Sequence, residues 1–382
     1  MANVLTDLAA DIYLAADTVG RELVGVIPSS TINGGSDRAA IGQTVRSHYT
    51  RPATVGTFTA AMTIPEGTDQ TVDNKSLIIT DTASVKIPWT GEDMKYVNGG
   101  SGFSTIYGDQ IKQAMRAIAN QIEAEVATNV YQNASRAYGT AGTTPFASDF
   151  KDVAQIRKIL VDNGMPIQDP RVSLILETGA GANLRNLAQL QKVNEAGGAD
   201  LLRNGVLLDL QGLMMKESAG IASHTKGTGS GYVTNTGTTY AEGTTSIAID
   251  TGTGTVVAGD VVTFAGDTNK YVVTTGVTAP GTITIAAPGL RQTLADGVAM
   301  TIGNNFTANI ALHQSAVEVV CRPVAMPDGG DSAVDVMMVQ DPFSGLVFEV
   351  AAYKGYGKAM FDVRCAYGYK VWKPDYTAIL LG

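Results

Sequence analysis

Apolar residues recur at every third or fourth position at the start of the chain and again, for longer, after residue 104. Between and beyond these stretches the period shortens towards two. At 100° per residue, Leu5, Leu8, Ile12, Ala16, Val19 and Leu23 fall on one arc, which predicts an amphipathic helix over about 4–24. Asp7, Asp11 and Glu22 form an acidic stripe on the neighbouring arc, and Pro28 with SSTINGG (29–35) ends the helix. One such stripe cannot cover itself, so it has to dock on the body of the protein or on another subunit. TVGTFTAAMTI (54–64) and SLIITDTASVKIPWT (76–90) read as two strands of a long hairpin-like arm, with its tip around Pro65, Glu66 and Gly67. An isolated hairpin is marginal. The arm also needs a partner surface.

The strongest helix follows the loop NGGSGF (98–103). Ile111, Met115, Ile118, Ile122, Val126 and Val130 recur at helical spacing and predict a helix from Ser104 to Ser135, a rod of about 45–50 Å at 1.5 Å per residue. A shorter helix over 149–162 carries Val153, Ile156, Ile159 and Leu160 and stops at Asn163-Gly164, a helix-ending pair. RVSLIL (171–176) predicts a buried strand, followed by a helix through LRNLAQLQKV.

Near residue 224 the texture changes. Residues 225–304 contain 20 Thr and 14 Gly, and short strands such as TSIAID, DVVTFAG, KYVVTTG and GTITIAA alternate with glycine turns. This predicts a compact all-β unit, a small barrel or sandwich, inserted at a loop whose two ends lie close together. IALHQSAVEVVCRP (310–323) then resumes the earlier pattern, and 345–380 is strand-like. Strands at 40–90 and 345–380 have to pair with each other or lie on the long helix, which makes one interleaved body.

Composition narrows the function. The 382 residues exceed one ordinary core, and 16% are charged, low against the roughly 25% of globular proteins. Such a surface suits a protein largely covered by neighbours, and equally a solenoid or a sticky extracellular β-protein. The net charge of −9 and the absence of a dense Lys/Arg cluster argue against a dedicated nucleic-acid binder. Asp7, Asp11 and Asp17 interrupt the first apolar stretch, and no run of eighteen apolar residues occurs, so neither a signal peptide nor a membrane span is expected. Cys321 and Cys365 read as separate small core residues of a chain made in a reducing cytoplasm.

Candidate chemistry is thin. ETGAGANL (177–184) offers Gly179 and Gly181 between a strand and a helix, but Leu184 stands where a dinucleotide loop has its third glycine. It reads as a plain strand-to-helix turn. His48, His224 and His313 have no ligand or carboxylate at metal spacing. GGSGF (99–103) only superficially resembles a nucleophile elbow, and GTGSGYVTNTG (227–237) lacks the Lys of a phosphate loop. Glu92-Asp93 and Glu123/Glu125 read as solvated faces. No constellation carries a reaction, so an enzyme is not expected, and neither is a cofactor or a metal.

Three stretches are similar to a known family in the same order. LLDLQGLMMKESAGIA (207–222) resembles a strand that leads to G-x-x-x-x-x-S before an insertion. ALHQSAVEVVCRP (311–323) resembles its His-x-Ser-Ala stretch, and VRCAYGYKVWKPDYTAIL (363–380), with Gly368 and Pro374, its final strand. The family is the major capsid protein of tailed bacteriophages, whose fold is shared with herpesvirus shells. The subgroup it most resembles is the podovirus-type coat with an inserted β-domain.

The resemblance implies an α+β fold: an N-terminal arm (1–39), an extended β-arm with flanking strands (40–98), and a spine helix with peripheral domain (99–170). An axial domain follows in two parts (171–223 and 305–340) around the inserted β-domain (224–304), and 341–382 supplies the C-terminal strands of the peripheral domain. It further implies hexamers and pentamers of an icosahedral head, first procapsid and then mature capsid, around double-stranded DNA. A scaffolding protein, a portal and a decoration protein are the implied partners, with assembly in the bacterial cytoplasm and no membrane. The insert is poor in charge, and a non-covalent shell is expected. Asp7, Asp11 and Glu22 are the candidate dock for a scaffold or a neighbour, and Pro65, Glu66 and Gly67 the arm tip that meets a neighbouring subunit. The reading from a different class is an extracellular or tube-forming β-rich adhesin.

Overall fold

The computed structural model describes residues 24–50, 55–63, 72–98, 103–166, 169, 171–191, 209–235, 237, 239–341 and 344–382. The helix expected over 4–24, its acidic residues Asp7, Asp11 and Glu22, and the arm tip Pro65, Glu66 and Gly67 lie outside these.

The long apolar period produces a 30-residue helix, Phe103–Gln132, here called the spine. It ends three residues before the expected Ser135, because Arg136–Gly139 is taken into a sheet between Thr377–Leu381 and Lys270–Thr275. Ile111, Met115, Ile118, Ile122, Val126 and Val130 are all buried and pack on a six-stranded sheet. That sheet runs Thr31–Gly34, Val317–Arg322, Lys358–Val371, Val347–Lys354, Ala333–Gln340, with Asp81–Thr90 on the other side of Lys358–Val371. Side chains alternate across a strand, so Val319, Cys321, Phe348, Val350, Val363, Cys365 and Tyr367 face the spine. The two cysteines share this core, on adjacent strands, and the Cys321 thiol donates to the Val347 carbonyl at 3.1 Å.

The expected pairing of distant strands takes a definite register. Asp81–Thr90 runs antiparallel to the 358–367 stretch, from Asp81↔Tyr367 to Thr90↔Lys358. The arm itself differs from expectation. Its ladder pairs Thr44–Thr50 with Val72–Ile78, whereas 55–63 form no strand and are exposed throughout. Thr and Val in that tract favour a pleated surface, but no neighbouring strand supplies one. The stretch 76–90 is broken at Ile79-Thr80, where the chain crosses from the ribbon to the sheet.

A twelve-stranded sheet holds the rest. Its order is Met214–Glu217, Val172–Leu176, Phe306–His313, Thr377–Leu381, Arg136–Gly139, Lys270–Thr275, Gly281–Ile285, Ser246–Asp250, Val233–Thr234, with three further strands off this path. Val172–Leu176 is buried on both faces, as a continuous apolar run requires. The helix Lys151–Asp162 covers this region through Val153, Ile156 and Leu160.

The Thr/Gly-rich segment has its own core of Tyr232, Ile247, Ile249, Phe264, Tyr271, Ile283, Ile285 and Met300, among others. Its two ends meet, with His224 opposite Phe306 and Ser223 opposite Thr307. It is also continuous with the large sheet, because Lys270 and Tyr271 pair with Ala137 and Arg136.

Candidate assembly surface

Three parts of the chain lie at its margins. The first is the N-terminal strap, whose Val26 and Ile27 are buried in the core. The carboxylate of Glu123, at mid-spine and 1% exposed, accepts hydrogen bonds from the backbone N–H groups of Gly25, Val26 and Ile27 at 2.8, 2.7 and 2.9 Å. Ser218 Oγ donates to the same carboxylate at 2.6 Å. Lys216 Nζ reaches Ser29 Oγ at 2.9 Å, and burial holds its ammonium below the usual lysine value. Beyond this node, Thr31–Gly34 adds to the sheet in parallel with Val317–Arg322.

Glu123 thus departs from the solvated face expected of it. On a helical wheel it falls inside the buried arc, between Ala119, Val130 and Ala127. That position was the available signal: an acid on an apolar arc needs donors brought to it.

The second part is the ribbon of Thr44–Thr50 and Val72–Ile78, with the tract 55–63 beyond its first strand. Val55, Phe58 and Met62 are 95%, 92% and 106% exposed, so none of the described residues covers them. The third is the free edge of the six-stranded sheet, Ala333–Gln340, with Val334 and Met338 exposed.

The Thr/Gly-rich segment joins the spine at a buried polar node. His224 Nε2 lies 2.9 Å from Asp260 Oδ1, and Tyr131 Oη on the spine lies 3.4 Å from His224 Nδ1. Asp260 also accepts from the N–H groups of Gly227 and Val257, at 3.0 and 2.8 Å. An Asp–His pair suggests acid–base work, but both side chains are buried and no nucleophile stands beside them. The pair fixes the root of the segment. Gly259, at φ +92°, is required there because a Cβ would stand 2.7 Å from the Tyr131 ring.

The remaining candidates also resolve structurally. His313 Nδ1 accepts from the Ser315 N–H at 3.1 Å and caps the turn Gln314–Ala316. Its Nε2 sits 3.2 Å from Asp169 Oδ2. At the glycine turn, a Cβ on Gly181 would be 1.8 Å from Glu217 Oε1, and Glu217 holds Arg185 at 2.5 Å. A glutamate fills the space a phosphate would need. His48 lies on the ribbon strand Thr44–Thr50. Among the described residues no three potential ligands gather to hold a metal, and no helix is long and apolar enough to cross a membrane.

No protein-family model matches the sequence, and no curated protein matches it. Solved structures do. The chain is similar to one in the capsid structure of the Cyanophage P-SCSP1u, with a TM-score of 0.51 at 12% identity over 94% of this chain and 88% of that one. The fold is a phage capsid fold. The asymmetric unit of the bacteriophage PhiM1 mature capsid matches at 0.46 and 11% identity, over 93% of this chain and 85% of that one. A chain of Mycobacterium phage Che8 matches at 0.45 and 15%, over 89% and 84%.

Proposed function

We propose that this chain is the major shell subunit of a tailed bacteriophage of the podovirus type, assembling as hexamers and pentamers into an icosahedral procapsid and then a mature head around double-stranded DNA. The carrying observation is the exposed tract 55–63 on a capsid fold: Phe58 and Met62 stand in solvent, and burying such side chains is worth about 1.5–3 kcal/mol each. A neighbouring subunit supplies the missing cover. Repeated head-to-tail contacts of this kind close into rings.

In this reading the arm tip at Pro65, Glu66 and Gly67 laps over a neighbour. Asp7, Asp11 and Glu22 offer carboxylates to a basic helix of a scaffolding protein. The segment 224–304 acts as an inserted domain that steadies the fold and supports lateral contacts. Portal and decoration proteins are the remaining partners, the shell is non-covalent, and the protein performs no catalysis. Assembly takes place in the host cytoplasm and the product resides in the virion.

Sedimentation velocity of the chain expressed alone tests the reading. Capsomer-sized or larger species support it, and a monomer at all concentrations, with the phage's other head proteins present, opposes it. Asp11→Lys with Glu22→Lys should leave folding intact and disturb shell size or scaffold uptake. Normal particles with normal scaffold content would remove that assignment.

A further inference from the structure

The fold gathers two lysines around one indole and a third over the neighbouring Tyr376 ring. Lys75 Nζ lies 5.6 Å from the Trp372 ring centroid and donates to the Trp372 carbonyl at 3.1 Å. Lys370 Nζ lies 4.9 Å from the same centroid and donates to the Ser76 carbonyl at 3.1 Å. Lys373 Nζ stands 4.9 Å from the Tyr376 ring centroid. The nearby carboxylate of Glu318 is already used by Trp372 Nε1 at 2.6 Å and Asn33 Nδ2 at 3.0 Å. Burial, and next the charges of Lys373 and Lys370, hold the Lys75 ammonium below its usual value, with Asp375 opposing. This is a concentrated positive patch on a chain of net charge −9.

The complementary surface lies on the same sheet. The loop after Val317–Arg322 carries Asp328 and Asp331 around the turn at Gly329-Gly330, and Asp335 follows on the edge strand Ala333–Gln340. Arg364 Nη2 is 3.5 Å from Asp331 Oδ2, which fixes where the loop sits. No described residue makes an ion pair with Asp328 or Asp335. Arg364 and Lys370 are six residues apart on one strand, hence on one face and about 20 Å apart. The loop and the patch therefore do not meet within a subunit.

We propose that the Lys75, Lys370 and Lys373 patch docks the acidic segment of a second copy of this chain that runs from the loop residue Asp328 to Asp335 on the edge strand. The inference rests on the shell-subunit reading, since two unlike patches on one molecule make a heterologous contact that continues from copy to copy. Nucleic acid is the less favoured occupant. Three ammonium groups neutralise at most about three phosphates, and the indole that could stack on a base already carries two lysines over its ring.

The test is a charge swap read by sedimentation velocity at low salt and at about 1 M salt, where the Debye length is about 3 Å. Lys370→Glu/Lys373→Glu and Asp328→Lys/Asp335→Lys should each fold as wild type and associate about tenfold more weakly at low salt. The chain with all four reversals should associate with itself again and not with wild type. Lys370→Gln/Lys373→Gln, which only removes charge, gives an intermediate loss. Unchanged association of the reversed variants, or no rescue by the combination, overturns the proposal. So does normal association of Lys370→Glu/Lys373→Glu with weakened binding of a labelled DNA duplex, which assigns the patch to nucleic acid. A wild-type chain that never associates is a different failure, and it overturns the shell reading as well.

Discussion

The Val26 amide donates to Glu123 across 97 residues of sequence at 2.7 Å. With the Gly25 and Ile27 amides and the Ser218 hydroxyl, it turns a buried acid into the anchor of residues 25–27. The carboxylate is saturated by neutral donors, so this strap is fixed to the middle of the spine helix.

Glu123→Ala removes the acceptor for all four groups. Each buried donor left unsatisfied costs about 1–3 kcal/mol, and water entering the cavity recovers part of that. The expected loss is about 4 kcal/mol in urea unfolding, together with early proteolysis at the strap. Unchanged stability would show that the strap holds without this carboxylate.

Asp260→Ala leaves the amides of Gly227 and Val257 and the His224 ring without their acceptor. A loss of about 3 kcal/mol is expected, within a single unfolding transition, because Lys270–Tyr271 ties the segment to Arg136–Ala137. Two separate transitions in calorimetry would mean that the segment folds on its own account. Deleting 225–304 removes that strand pairing too, and poorly soluble subunits are the expected outcome.

Asp362 is buried on the outer face of the six-stranded sheet, with Oδ1 unpartnered. Burial raises its carboxyl above the usual value, and Arg364 opposes the shift. A group that ionises less readily in the folded chain contributes stability present in full below the unfolded value, about 3.9. That contribution is lost as pH rises through the raised folded value. Asp362→Asn should therefore be more stable than wild type at pH 7, with the difference vanishing near pH 3. Melting curves across that range check the sign.

Phe58→Ser and Met62→Ser act on side chains that stand exposed among the described residues. Their melting temperatures should match wild type while association weakens. A lower melting temperature with unchanged association would place these residues in folding rather than assembly.

The spine and the shared sheet were legible because each has one strong period. Two strand-like stretches that each lacked cover left two solutions, pairing with each other or lying on the long helix, and the structure takes the first for Asp81–Thr90 and the 358–367 stretch. The tract 55–63 was misread because β propensity alone cannot show whether a partner strand exists. Glu123 reads from the sequence as a solvated face although it stands on the apolar arc, and its partners are not legible there, since most of its donors are backbone amides. The lysine patch was not legible at all. Only the ladders bring Lys75 to Trp372, 297 residues away, and no linear cluster announces it.

The shell reading meets its most direct test in negative-stain electron microscopy of the full chain expressed alone in bacteria. Closed shells, or a mixture of shells, spirals and free capsomers, are the expected result, with the mixture indicating that a scaffold governs fidelity. A stable monomer that forms no particle, even beside the other head proteins of its phage, would contradict it.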